Sequence, residues 1–112
     1  MGYIDIYKSF LNEFNITQNE ITSDSIKVSD FTIFNLRDLL LELGTIYRED
    51  IDENTYIAKI KGGTLKKNEA IVLAVLDNLD LRIAIFAKEG IIKQKTSEGI
   101  LNEIRKRIEN KS

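Results

Sequence analysis

The chain has 112 residues, of which 43% are hydrophobic and 30% are charged, and it contains no Cys, His, Trp or Pro. This length and balance predict one globular domain spanning residues 1–112 and argue against intrinsic disorder. Without Cys and His, disulfides, thiolate nucleophiles, imidazole acid–base catalysis and the commonest zinc ligands are excluded. No apolar run approaches the roughly 20 residues that span a bilayer, so we expect a cytoplasmic protein that does not bind membranes.

The net charge of −2 conceals an uneven distribution along the chain. Residues 1–54 carry eleven acidic and four basic side chains, a net charge of −7, whereas residues 55–112 carry seven acidic and twelve basic side chains, a net charge of +5. If the fold keeps these sets apart, the protein has an acidic side and a basic side, which favours contact between two copies. If folding intermixes them, that driving force disappears.

The first predicted element is an amphipathic helix over Tyr3–Phe14. Its apolar residues recur at three- and four-residue spacing and form one stripe rich in aromatic side chains. Asn15 is suited to end the helix, because Asn tolerates the left-handed backbone conformation. The pattern favours a stripe that faces the core, and the alternative is a docking face for a partner or a second copy. The residues with this partner-binding assignment are Tyr3, Tyr7, Phe10 and Phe14.

The next segment predicts two short strands and a second helix. Residues 25–29 and residues 30–34 each alternate between apolar and polar positions, in opposite phase, which fits two short strands or one bulged strand. We predict two strands. Asn35 then has the position of an N-cap, and Gly44 that of a C-terminal stop, for a helix over residues 36–43. Residues 45–48 follow as a brief strand.

An acidic turn comes next, and it partly matches a calcium-binding loop. Asp50, Asp52 and Asn54 have the spacing of the first three ligands of an EF-hand. However, Thr55 occupies the position that requires Gly, and Lys61 occupies the position that requires a bidentate Glu. We therefore predict a solvated turn and no metal site.

The strongest signal in the chain is a β-hairpin over residues 70–87. Two apolar runs rich in β-branched residues flank a polar tetrapeptide, and the first run is apolar on both of its faces. This first run predicts a central strand, covered on both sides. Residues 55–61 before the hairpin and residues 91–95 after it predict two further strands.

The connection over residues 61–67 reads KGGTLKK and raises the possibility of anion binding. Flexible backbone N–H groups flanked by three lysines can hold a phosphate, although the spacing of a P-loop is absent. A plain connection between antiparallel strands is the simpler interpretation. The residues assigned to anion or nucleic-acid contact are Lys61, Gly62, Gly63, Lys66, Lys67 and Arg105.

The last element is a helix that begins at Thr96 or Ser97 and carries an apolar stripe. Arg105 lies in a basic cluster near its end, where cations also stabilise the helix dipole. The elements together predict an α+β fold: an antiparallel sheet of about five strands with N-terminal, middle and C-terminal helices, in the order α-β-β-α-β-β-β-α. This order is similar to that of roadblock and profilin-like scaffolds, but no sequence motif assigns a family.

The functional prediction depends on the absence of catalytic and cofactor-binding motifs from the sequence. We find no nucleophile motif and no dinucleotide fingerprint, and we therefore expect no enzymatic activity and no cofactor. We predict a small protein-binding module, such as an adaptor, a regulator or a mobile-element-encoded inhibitor, that binds another protein or a second copy of itself. The alternative is a nucleic-acid-binding protein that uses the loop 61–67 and the basic C-terminal helix.

Overall fold

The computed structural model describes residues 2–61, 69–87 and 95–111, which form three helices and five strands. In chain order they are α1 (Tyr3–Phe14), β1 (Ile21–Lys27), α2 (Ile33–Leu43), β2 (Gly44–Asp50), β3 (Thr55–Lys61), β4 (Glu69–Asp77), β5 (Asp80–Ala87) and α3 (Lys95–Lys111). Two short 3-10 helices, Gln18–Glu20 and Ile51–Glu53, precede β1 and β3. The predicted α+β class, with three helices and a five-stranded antiparallel sheet, is confirmed.

The five strands form one sheet in the spatial order β1-β5-β4-β3-β2, and every neighbouring pair is antiparallel. The predicted hairpin is formed by β4 and β5, with Asp77 opposite Asp80 at the turn. Asn78 adopts a left-handed conformation there, with φ of 59°, which Asn tolerates better than most residues. The strand β4 lies between β3 and β5, so the prediction of a central strand is also confirmed.

Helices cover the sheet on both faces. Because successive side chains of a strand point to opposite faces, β4 contributes to two separate cores. Val72 and Ala74 pack in the core beneath α2 and α3, whereas Leu73 and Val75 pack in the core beneath α1. The result is a three-layer arrangement, with one helix on one face and two helices on the other.

Residues 30–34 do not form the second strand that their alternation predicts. Asp30 lies in a turn with φ of 53°, and Thr32 is the N-cap of α2. The Thr32 hydroxyl accepts a hydrogen bond from the Asn35 backbone N–H at 3.1 Å, and the Asn35 side chain accepts one from the Thr32 backbone N–H at 2.8 Å. This reciprocal capping box begins the helix three residues before the predicted start, so one strand separates α1 from α2.

The strand that completes the five-stranded sheet is β2. It spans Gly44–Asp50 and is longer than the brief strand predicted over residues 45–48. It follows α2 without any intervening loop. The strand predicted over residues 91–95 lies outside the described residues, except that Lys95 is the first residue of α3.

Candidate functional site

A β-bulge in β2 shapes the face of the sheet that α1 covers. Ile46 pairs with Ala58 and Arg48 pairs with Ile57, so Tyr47 is the extra residue. In a regular strand, Tyr47 and Arg48 would point to opposite faces. The bulge instead allows both side chains to contact α1, since such an insertion redirects the side chains of the bulged strand.

These two side chains fasten the C-terminal end of α1 to β2. The Arg48 guanidinium donates two hydrogen bonds to the two carboxylate oxygens of Glu13. These bonds hold the pKa of Arg48 above its ordinary value. Beside this pair, the ring of Phe14 packs edge-on against the ring of Tyr47, with 5.5 Å between centroids. Helix α1 is therefore anchored at this end by one ion pair and one aromatic contact.

A cleft with a volume of about 210 Å³ lies beside α1. Its floor is apolar and includes Phe10 and Leu73, whose side chains are buried. This volume is below the range of about 300–1,000 Å³ that is typical of pockets for drug-sized ligands. It suits a side chain rather than a cofactor. The apolar lining consists of Ile6, Phe10, Ile57 and Leu73, and the polar lining consists of Ser9, Glu13, Arg48, Asp50, Glu53 and Thr55.

The acidic rim of the cleft is built by the turn between β2 and β3. Asp50 is the N-cap of the 3-10 helix Ile51–Glu53, and its side chain accepts a hydrogen bond from the Glu53 backbone N–H at 3.3 Å. Asn54 then takes a left-handed conformation with φ of 51°, and the Thr55 hydroxyl donates to the Glu53 carbonyl at 2.8 Å. The segment that partly matches an EF-hand is thus a tight turn capped by its own side chains.

The cleft contains four polar side chains, of Glu13, Arg48, Asp50 and Thr55, that already hydrogen-bond other groups of the chain. Its hydroxyl groups are those of Ser9 and Thr55, and Thr55 already donates to a backbone carbonyl. Glu13, one helical turn from Ser9, is bound to Arg48. The rim combines three carboxylates and one guanidinium with an apolar floor.

The predicted partner-binding residues of α1 face the sheet. Phe10 is 1% exposed, and Tyr3, Tyr7 and Phe14 are partly buried around the same core. The rings of Tyr3 and Tyr7 stack with 5.8 Å between centroids, and the Arg82 guanidinium lies 5.3 Å from the Tyr3 ring centre. The stripe therefore packs towards the core. A partner-binding role for these four side chains stays a prediction.

The predicted anion-binding residues fall into two groups. Gly62, Gly63, Lys66 and Lys67 lie outside the described residues. Arg105 lies on α3, and its guanidinium donates a hydrogen bond to the Asp24 carboxylate of β1. An acidic partner thus already balances the charge of Arg105.

The sheet also separates Arg105 from Lys61. Asp24 lies in the cross-strand row that continues through β5 and β4 to Tyr56 of β3, and Lys61 is five residues further along β3. Strand geometry places Lys61 about 14 Å across the sheet and about 17 Å along it from Asp24. The backbone positions of Lys61 and Asp24 are therefore not neighbours in the sheet.

Ion pairs intermix the two oppositely charged halves of the sequence. Asp24 pairs with Arg105, Glu42 pairs with Arg107 at 2.8 Å, and Lys27 pairs with Asp80 at 3.0 Å. Each pair joins an element from residues 1–54 to one from residues 55–112. The Asp24 and Glu42 pairs place carboxylates of the acidic half against cations of the basic half, so the two halves meet at α3.

Sequence patterns alone do not predict the cleft. The aromatic stripe of α1 is evident from its spacing, but Ser9 and Glu13 belong to the polar side of that helix, and Arg48 belongs to a short strand. The signal that could reveal the bulge is the break in alternation after Ile46, where Tyr47 and Arg48 follow as two large side chains. No local pattern indicates which residue of α1 they contact.

Metal-binding clusters and membrane-spanning helices are both absent among residues 2–61, 69–87 and 95–111. No group of three or more His, Cys, Asp or Glu side chains in these ranges could hold a metal ion. None of the helices described here has the length and apolar character needed to cross a membrane. Comparisons with protein-family models, with curated proteins and with solved structures found no match to this chain.

Proposed function

We propose that this chain is a small non-enzymatic protein-binding module that uses the cleft beside α1 to bind another protein or a second copy of itself. The observation that carries this proposal is the combination of an apolar floor, a charged rim and a volume suited to a side chain. An adaptor, a regulator or a mobile-element-encoded inhibitor would each belong to this class. A cytoplasmic location is part of the same proposal.

The unequal covering of the two sheet faces supports this proposal. On the α1 face, Ile71 and Phe86 remain partly exposed. Their neighbours Val72 and Ile85, which point to the face under α2 and α3, are fully buried. Because burial of apolar surface is the main driving force of association, Ile71 and Phe86 could contribute to contact with a partner on the α1 face.

The proposal is tested with two matched variants of α1. Ser9 and Asn12 are both exposed on the helix, but Ser9 lines the cleft and Asn12 does not. Ser9→Phe places a ring in the cleft, whereas Asn12→Phe adds the same ring elsewhere on α1. We expect the wild type and Asn12→Phe to capture the same protein from a lysate, and Ser9→Phe to lose it.

Self-association is measured on the same three proteins by light scattering after size-exclusion chromatography. If the partner is a second copy, the wild type and Asn12→Phe should have twice the molar mass of Ser9→Phe. The proposal is wrong if Ser9→Phe neither reduces the captured partner nor lowers the molar mass. Circular dichroism of both variants checks that the fold is retained.

A further inference from the structure

The charges at the rim of the cleft indicate what kind of side chain it accepts. Of the three rim carboxylates, Glu13 is engaged by both nitrogens of the Arg48 guanidinium. Asp50, the last residue of β2, supplies a further carboxylate to the lining. The Asp50 carboxylate is therefore one that a cation of the partner could contact without displacing Arg48 from Glu13.

Asp50 has unused capacity to accept hydrogen bonds. One of its oxygens accepts a hydrogen bond from the Glu53 backbone N–H, at the long distance of 3.3 Å. A carboxylate offers about four acceptor positions. Within the described residues, no ion pair joins Asp50 to a cation.

The floor of the cleft complements this carboxylate. The partly exposed side chain of Ile6 lines the same cleft as Asp50, together with the buried side chains of Phe10 and Leu73. Lysine and arginine combine an apolar stem with a cationic head, so one such side chain can contact both parts of the lining. Neither an aliphatic nor an acidic side chain has this combination.

We propose that the cleft accepts a lysine or arginine side chain of the partner, with its stem on the floor and its cation at Asp50. This inference rests on the proposed protein-binding function and specifies the chemistry of the partner. A partner carboxylate would have to displace Glu13 from Arg48. That exchange would leave Glu13 without its cation beside Asp50 and Glu53, which disfavours it.

The test uses isotopically labelled full-length protein and three probe peptides that differ at one position. These are the acetylated and amidated tripeptides Leu-Lys-Leu, Leu-Glu-Leu and Leu-norleucine-Leu. We expect the lysine peptide to shift the backbone amide NMR signals of Ser9, Glu53 and Thr55 in a saturable way. The other two peptides should shift them less at equal concentration.

Two matched variants assign the cation contact. Asp50→Asn removes the charge but keeps an N-cap side chain, and Asp52→Asn makes the same change at a neighbouring residue that does not line the cleft. We expect Asp50→Asn to weaken binding of the lysine peptide by about fivefold, the upper end for an exposed ion pair. Asp52→Asn should weaken it by less than twofold, an effect of about 0.4 kcal/mol or less.

Each contrary result has a distinct meaning. Equal shifts with the lysine and norleucine peptides, or stronger shifts with the glutamate peptide, would overturn the inference about a cation. So would the absence of shifts with every peptide, or equal effects of the two Asn variants. The proposed function is judged separately, by whether Ser9→Phe loses a partner that Asn12→Phe retains.

Discussion

Gly44 is the residue at which helix α2 passes directly into strand β2, and the backbone of β3 leaves no room there for a side chain. A Cβ atom on Gly44 would lie 2.1 Å from the Lys59 carbonyl oxygen and 3.0 Å from the Ile60 Cα atom. Both are backbone atoms, so relief requires a shift of the strand pair rather than of a flexible side chain. The close spacing of β2 and β3 at this point thus depends on the absence of a methyl group.

Gly44→Ala should lower the free energy of unfolding by about 2 kcal/mol, the scale of overpacking in a well-packed region. Gly99→Ala is the matched control, because Gly99 lies in α3 and a Cβ atom there would have nothing within 4 Å. That change should raise the free energy of unfolding by about 0.5–1 kcal/mol, since alanine is the better helix former. Urea denaturation measures both, and equal effects would contradict the close approach at Gly44.

Tyr56 makes stability depend on pH under alkaline conditions. Its side chain is fully buried beneath α2 and α3, and its hydroxyl donates to the Glu49 carboxylate at 3.0 Å. Burial, followed by this hydrogen bond, raises the pKa of Tyr56 from 10.0 to about 12. The folded state therefore keeps a proton that the unfolded chain releases.

The contribution of Tyr56 should be fully present below pH 10 and should be lost as the pH rises from about 10 towards 12. Tyr56→Phe should remove this component of the pH dependence and lower stability at neutral pH by about 1 kcal/mol, through the lost hydrogen bond. Urea denaturation at a series of pH values measures the difference between the two proteins. An unchanged difference across that range would contradict the raised pKa.

At the scale of elements, the bulge in β2 determines how α1 is held on the sheet. It brings Tyr47 and Arg48 to the same helix end, where they contact Phe14 and Glu13. The opposite end of α1 has a different contact, between Tyr3 and Arg82 of β5. Helix α1 thus contacts an arginine side chain near each end, Arg82 at one end and Arg48 at the other. The cleft opens along its side.

Arg48→Ala should loosen the C-terminal end of α1 without unfolding the sheet. The Glu13 pair is exposed but bidentate, so we expect a loss of about 1 kcal/mol. Amide hydrogen exchange should become faster in the last turn of α1 and remain unchanged in β4 and β5. Lys27→Ala, which breaks the exposed pair with Asp80, is the control and should leave exchange in α1 unaffected. Uniform acceleration in all elements would argue against a local anchor.

Elements with a strong local pattern are predictable from the sequence, and those specified by tertiary contacts are not. The bounds of α1, Tyr3–Phe14, and the hairpin of β4 and β5 follow from the spacing of apolar residues. This spacing is regular because the apolar residues of each element lie on a buried stripe or face. The predicted start of α2 is wrong. Residues 30–34 alternate like a strand, but the capping box of Thr32 begins the helix within this segment. For the cleft, the sequence reveals the apolar stripe that supplies its floor, but the rim depends on a bulge that no propensity specifies.

At the scale of the whole molecule, the two faces of the sheet are unequal. Two helices bury one face, whereas a single helix leaves apolar side chains partly exposed and a cleft open on the other. Two ion pairs, Asp24 with Arg105 and Glu42 with Arg107, join carboxylates of the acidic half to cations of the basic half. In the proposed function, association uses the apolar surface and the cleft of the α1 face.

The measurement that tests this conclusion most directly is selection of a random peptide library displayed on phage against the immobilised full-length protein. Recovered peptides are then assayed on the wild type, Ser9→Phe and Asn12→Phe. We expect enriched peptides that bind the wild type and Asn12→Phe but bind Ser9→Phe at least tenfold more weakly, since a filled cleft removes about 1.4 kcal/mol or more of binding free energy. Enriched peptides that bind all three proteins equally would contradict a binding site in the cleft beside α1.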